Sequence, residues 1–296
     1  GNESMELGRL GIWYFLDALP ARAAADAAKR MEDLGYGTLW IPETLGRHPF
    51  AHAAWLLANT SRLNLATGIA NIYHREPGIS VQGQNTLAEQ SGGRFLLGLG
   101  VSHKPLVEGV RKLEYGPPVA TMRRYLDAMA ESMYTARKPE TPPPTVIAAL
   151  GPKMLELAAE KCAGAHPYFT SPEHTRMARE RLGPDKWLCV EQKVLLETDP
   201  EVARRVARQV AAMYIGLPNY RNNWLRMGLT EGDLEDGGSD AFVDATFAWG
   251  DLDAIRARIA AHFDAGASHV CIQPVNPNGA FGDLHWPVLE ALAPAA

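Results

Sequence analysis

The residues of this chain that could do chemistry stand just after short apolar runs, mixed with aromatic and small side chains. Trp13, Tyr14 and Phe15 follow the first run, and Pro42-Glu43-Thr44 the second. Gly68-Ile69-Ala70-Asn71-Ile72-Tyr73-His74-Arg75-Glu76-Pro77 follows the third, and Gly98-Leu99-Gly100-Val101-Ser102-His103-Lys104 the fourth. Ala149 to Lys153, His166 to Ser171 and Gln273 to Asn276 follow later runs. A histidine titrates near working pH, so His103 can shuttle a proton; read blandly, it is a polar loop residue. Trp13, Tyr14 and Tyr73 suit the wall of an apolar substrate pocket, and suit a core equally well.

Other chemistries fit poorly. A metal site needs several converging His, Cys, Asp or Glu ligands. No HxH or HExxH pattern occurs, and His48, His52 and His74 stand isolated. No metal is therefore expected. Gly98-Leu99-Gly100 is not a dinucleotide fingerprint, because the third glycine of GxGxxG would fall at His103. Small residues after the third, fourth and fifth runs would let backbone approach a flat ligand. Gly151-Pro152 opens a helix, whose free amides favour a phosphate; the same pair is also an ordinary turn with proline at the first helical position.

The elements that must position these residues repeat one pattern. A helix ends at a glycine, and an apolar strand follows. Ala21 to Leu34 leads through Gly35 to Thr38–Ile41, and Ser80 to Gln90 leads through Gly92-Gly93 to Arg94–Leu97. Met154 to Lys161 leads through Gly164 to a sixth strand over His166–Phe169, and Leu252 to Asp264 leads through Gly266 to His269–Ile272. Leu10–Tyr14, Leu63–Thr67, Val146–Ala149 and Trp187–Val190 complete eight candidate strands. Their continuous apolar character is that of parallel strands buried on both faces. Eight such strands predict an α/β fold, a (β/α)8 TIM barrel, with insertions after strands 4 and 7. The insert from about Gly216 to Trp249 is expected to cover the pocket.

Composition agrees with such a domain. The chain has 296 residues, is 46% hydrophobic and 21% charged, and carries a formal charge of −5. That balance gives no case for nucleic acid or an anionic membrane. Cys162, Cys189 and Cys271 form no CxxC pair, so a reducing cytoplasm is expected. No run approaches the roughly 18 apolar residues of a membrane span, and no signal peptide is expected. Gly1 to Ser4 precede Met5 and read as an expression remnant, leaving 5–296 as one domain.

Three stretches together resemble the luciferase-like monooxygenase superfamily. They are Leu34-Gly35-Tyr36-Gly37-Thr38-Leu39-Trp40-Ile41-Pro42-Glu43, Ala66 to Pro77 and Arg94 to Ser102, and the likeness runs from about residue 8 to about residue 280. The stretch Gly164 to Thr175 is similar to an actinobacterial-type subgroup of the branch that uses the deazaflavin coenzyme F420. The resemblance implies a homodimeric barrel with the ring at the carboxyl ends of the strands. It also implies a bulge among Gly68, Ile69 and Ala70, often with a non-prolyl cis peptide, backing the ring. Carried over by position, the cofactor-binding residues are Gly68, Ile69, Ala70, Asn71, Gly100, Val101, Ser102, Ala149, Leu150, Gly151, Pro152, Lys153, Gly164, Ala165 and His166. Glu43 matches an acidic residue beside the ring. His103 stands where a sugar-phosphate dehydrogenase branch has an acidic glutamate, and Thr44 where it has a histidine; the second departure argues against sugar-phosphate oxidation. The resemblance thus implies hydride transfer between F420 and a small organic molecule, with His103 as acid or base, Glu43 at the cofactor, and Trp13, Tyr14 and Tyr73 around the substrate. An FMN-dependent monooxygenase and a flavin- or deazaflavin-binding protein without turnover are the alternatives.

Overall fold

The computed structural model describes residues 5–294; the expected remnant Gly1 to Ser4 lies outside the described residues. Strands β1 (Leu10–Trp13), β2 (Thr38–Ile41) and β3 (Asn64–Thr67) open the wall. After a cis Gly68–Ile69 peptide, the short β4 (Ala70–Asn71) resumes and pairs with the top of β5 (Phe95–Gly100). The expected bulge is therefore present. β6 (Thr145–Ile147), β7 (Gly164–Ala165) and β8 (Trp187–Leu196) follow; β9 (Phe247–Gly250) pairs with the upper part of β8, and β10 (His269–Pro274) pairs with both β8 and β1. Every pairing is parallel, and the β8–β10 ladder closes an eight-stranded (β/α)8 barrel.

Side chains alternate across that wall, as strand geometry requires. Ile12, Leu39, Ile41, Leu65, Leu97, Val190 and Ile272 are buried in one apolar cluster with the surrounding helices. Their neighbours Trp13, Trp40, Ala66, Leu96, Val146, Cys189 and Cys271 belong to a second cluster, which fills the lumen. The helices carry ordinary start and stop signals. In α7 (Pro200–Ala211), Asp199 caps the Glu201 amide, and Ala203, Val206, Ala207 and Val210 form the buried stripe. Gly92 ends α3 (Pro77–Ser91) in the left-handed conformation, at φ 67°.

Two expectations are corrected. The sixth strand is Gly164–Ala165, not His166–Phe169. A carbon added to Gly164 would lie 2.1 Å from the Trp187 carbonyl oxygen, so this glycine serves close approach of strands, and His166 to Thr170 form the loop above. Second, the insert after β8 is more than a polar cover. It contains α8 (Pro218–Arg226), α9 (Asp240–Thr246) and β9, which extends the sheet.

Candidate active site at the barrel mouth

The bulge side of the mouth is held by Glu43. Its carboxylate accepts from the Arg75 guanidinium (2.5 Å) and the Asn71 amide (2.8 Å), and lies 3.1 Å from His74 Nδ1. Burial opposes its ionisation, but Arg75, the Asn71 amide and His74 outweigh that and hold the carboxyl below its usual range. Glu43 is thus a charged brace for the bulge. Beside it Ile69 is half-buried at the mouth, and its side chain packs where a carbon on Gly100 would sit, 2.5 Å away. Gly100 is therefore small to admit Ile69.

Beneath the mouth, the lumen holds a fully buried ion pair. Lys193 Nζ donates to Glu191 Oε2 at 2.9 Å, and both side chains are 0% exposed. The other Glu191 oxygen accepts the Phe169 amide (3.0 Å). Burial raises the Glu191 pKa against these partners and lowers that of Lys193 to about 8. The ammonium also lies over the Tyr168 and Phe169 rings, 3.8 and 3.7 Å from their centroids. Tyr168 Oη donates to Gln273 Oε1 (3.0 Å) and is 2.7 Å from Tyr214 Oη.

The insert roofs this arrangement. Trp224 Nε1 donates to the Phe169 carbonyl, and Asn219 Nδ2 to the Ser102 carbonyl, both at 3.0 Å. Tyr220, between them in α8, lies 4.8 Å from the His103 ring and contacts Tyr168, Phe169, Tyr214 and Trp224. Burial lowers the His103 pKa to about 4, so its imidazole is neutral at neutral pH. Its Nδ1 is buried without a partner.

The remaining expected residues divide by place. Trp13 donates from Nε1 to the Gly68 carbonyl (3.0 Å) and packs on Tyr168; it is buried floor. Tyr14 faces another depression with Phe15, Met213 and Phe281, and its hydroxyl accepts the Gly282 amide (3.1 Å). Tyr73 stacks on Tyr115, whose hydroxyl donates to Ser102 O (3.3 Å). Val101 and Ser102 are half-buried at the rim; Ala70 and Asn71 are buried in β4. Ala149, Leu150, Gly151 and Pro152 lead into α5 (Pro152–Lys161), while Lys153 is exposed. Ala165 is buried in β7. His166 stacks on Trp40 at 4.3 Å, and its Nδ1 meets the Cys189 carbonyl at 2.9 Å. The structure thus gathers His103, Ile69, Val101 and Ser102 at one mouth, and turns Tyr14 elsewhere.

Lys193, Glu191, Tyr220 and Arg226 also belong to the site, and the post-strand pattern does not single them out. Arg226 of α8 stands over the start of α5: a carbon on Gly151 would lie 3.3 Å from its Nη2. Its side-chain partner is Asn223, at 3.3 Å. Gly151 offers no side-chain cap, so the first amides of α5 and this guanidinium form an anion-compatible corner. A depression of about 220 Å³, lined by Arg9, Leu10, Arg256 and Leu292, lies away from all these groups.

The profile of the luciferase-like monooxygenase family matches residues 7–269. The chain belongs to this family of oxidoreductases. A protein of Mycobacterium tuberculosis assigned as a coenzyme F420-dependent oxidoreductase is 28% identical, over 90% of this chain and 94% of its own. Two solved structures share the fold. The F420-dependent tetrahydromethanopterin reductase of Methanopyrus kandleri gives a TM-score of 0.72 at 18% identity, covering 97% of this chain and 98% of its own. The FMN-bound oxygenating constituent of a Pseudomonas putida diketocamphane monooxygenase gives 0.67 at 16% identity, covering 97% of each chain. No helix among the described residues is long and apolar enough to cross a membrane.

Proposed function

We propose that this chain binds the deazaflavin coenzyme F420 at the barrel mouth and catalyses hydride transfer between it and a small organic substrate. The observation that carries this reading is the pairing of an anion corner with an apolar bulge at one mouth. Arg226 and the uncapped start of α5 would hold the cofactor's phosphate-bearing tail. Ile69, half-buried above Gly100, would back the ring. Of six buried side-chain atoms without partners among the described residues, four belong to the segments after β5 and β7: His103 Nδ1, His166 Nε2, Thr170 Oγ1 and His174 Nδ1. Such atoms suit a polar ligand. The full-length likeness to an assigned F420-dependent oxidoreductase favours deazaflavin over FMN.

A bound deazaflavin would supply the two-electron hydride chemistry. The protein's part is to orient the ring, exclude water and handle one proton. His103, kept neutral by burial, can take a proton from a substrate hydroxyl at its free nitrogen as hydride leaves, or return one in the reverse direction. Glu43 takes no proton in this scheme; its ion pair fixes the bulge.

Titration of the purified chain with F420 and with FMN, followed by fluorescence, tests the reading. F420 is expected to bind, and Arg226→Ala to weaken it about tenfold through loss of a charge-assisted contact. Tight FMN binding without F420 binding would sink it.

A further inference from the structure

The insert helix does more than close the mouth. Tyr220 sits between the two hydrogen bonds that pin α8, through Asn219 to Ser102 and through Trp224 to Phe169. Its ring therefore has a fixed place against His103, at 4.8 Å and a 42° tilt. Tyr168, Tyr214 and Trp224 continue the aromatic surface behind it. His103 Nδ1, on the ring beside this wall, is buried without a partner.

Most charged groups nearby are engaged or turned to solvent. Glu43 holds Arg75, and Glu191 holds Lys193. Arg221 of α8 pairs with Glu231 at 2.6 Å, and Arg226, whose side-chain partner is the neutral Asn223, is taken by the cofactor's phosphate on the reading above. Arg111 donates to the Thr44 carbonyl, and Lys104 is exposed. A charged substrate group beside His103 would be buried without a counter-ion, at a cost of several kcal/mol. A flat, uncharged group loses little on leaving water and gains from stacking.

We infer that Tyr220 is a specificity-determining residue of this mouth, and that the substrate class is an uncharged aryl or similarly flat alcohol or ketone. Its oxygen meets His103 Nδ1 and its plane lies along the Tyr220 wall. The inference rests on the functional reading above, and its test does not require turnover.

Calorimetric titration of the full chain with acetophenone and with benzoate, with and without F420, gives the first readout. Carbethoxylation of His103 by diethyl pyrocarbonate, mapped by peptide mass spectrometry, gives the second. Acetophenone is expected to bind at least about tenfold more tightly than benzoate, which brings an unpaired charge. Tyr220→Phe keeps that preference. Tyr220→Ala weakens acetophenone binding about tenfold and raises His103 modification several-fold, with an unchanged circular dichroism spectrum confirming the fold. Benzoate binding as tightly as acetophenone, or binding of neither, overturns the substrate class. Equal His103 reactivity in wild type and Tyr220→Ala overturns the role of Tyr220. Failure of F420 to bind, with the other results intact, removes the redox reading and leaves the aromatic wall.

Discussion

Glu43 and Glu191 each have a side chain largely shielded from solvent beside a cation, yet their ionisation is pushed in opposite directions. Glu43 sits at the rim, where a guanidinium, a backbone amide and a histidine nitrogen converge on its two oxygens. Glu191 sits in the lumen with one ammonium and one amide, fully out of solvent. Burial is the largest influence on both carboxyls; at the rim three partners overcome it, and in the lumen two do not. The difference teaches that a short ion-pair distance does not by itself report stabilisation. What counts is how many of the hydration bonds left behind in water are replaced.

The lumen pair yields the largest expected effect. Lys193→Met should leave Glu191 buried and uncompensated, destabilising the protein by about 3–5 kcal/mol in urea unfolding. Combining it with Glu191→Gln should recover much of that loss. A double variant no more stable than Lys193→Met would break the comparison.

At the rim, Glu43→Gln should cost about 2–3 kcal/mol, because it strands the Arg75 guanidinium. The sign of the pH dependence follows from the depressed carboxyl. A lowered folded-state pKa gives stability that is present above the unfolded value near 4.5 and is lost as pH falls through the folded one. The gap between wild type and Glu43→Gln should therefore narrow on acidification below pH 4.5, as parallel thermal melts would reveal.

His103 gives a smaller, local signal. Its folded pKa near 4 lies below the ordinary 6.5, so the unfolded chain binds the extra proton between those values. It contributes stability above pH 6.5 that is lost as pH falls toward 4. His52, His166, His174, His262 and His269 are lowered by burial in the same way, so His103→Gln should make this part of the pH–stability curve less steep by one histidine's share and, on the proposed function, lower turnover about 100-fold. An unaltered curve would mean that burial does not hold the imidazole neutral. Smallest is Tyr168→Phe, expected to cost about 1 kcal/mol through loss of its bonds to Gln273 and Tyr214 while Lys193 keeps its aromatic neighbour.

The sequence pattern carries the barrel well, because helix stops such as Gly92 and apolar runs such as Leu39–Ile41 are local signals. The bulge at Gly68–Ile69 was also legible, through family resemblance. The sixth strand slipped because Gly164 and Ala165 have almost no apolar signal; their strand is defined by pairing with Val146, Ile147, Trp187 and Leu188. Lys193 and Glu191 escape a reading that ends the seventh strand at Val190. Period-two spacing from Cys189 would have placed both charges in the lumen. Arg226 and Tyr220 reach the mouth only through the tertiary path of α8, which no local spacing encodes.

One consequence follows from the length of β8. Its upper residues, Lys193 to Leu196, take their parallel partners Phe247 to Gly250 from the insert. Deleting the insert would leave that stretch of backbone as an open edge, with Val194 and Leu195 beside it. Open apolar edges recruit other chains. Shortened variants meant to widen access to the barrel should therefore aggregate, unless β9 is retained.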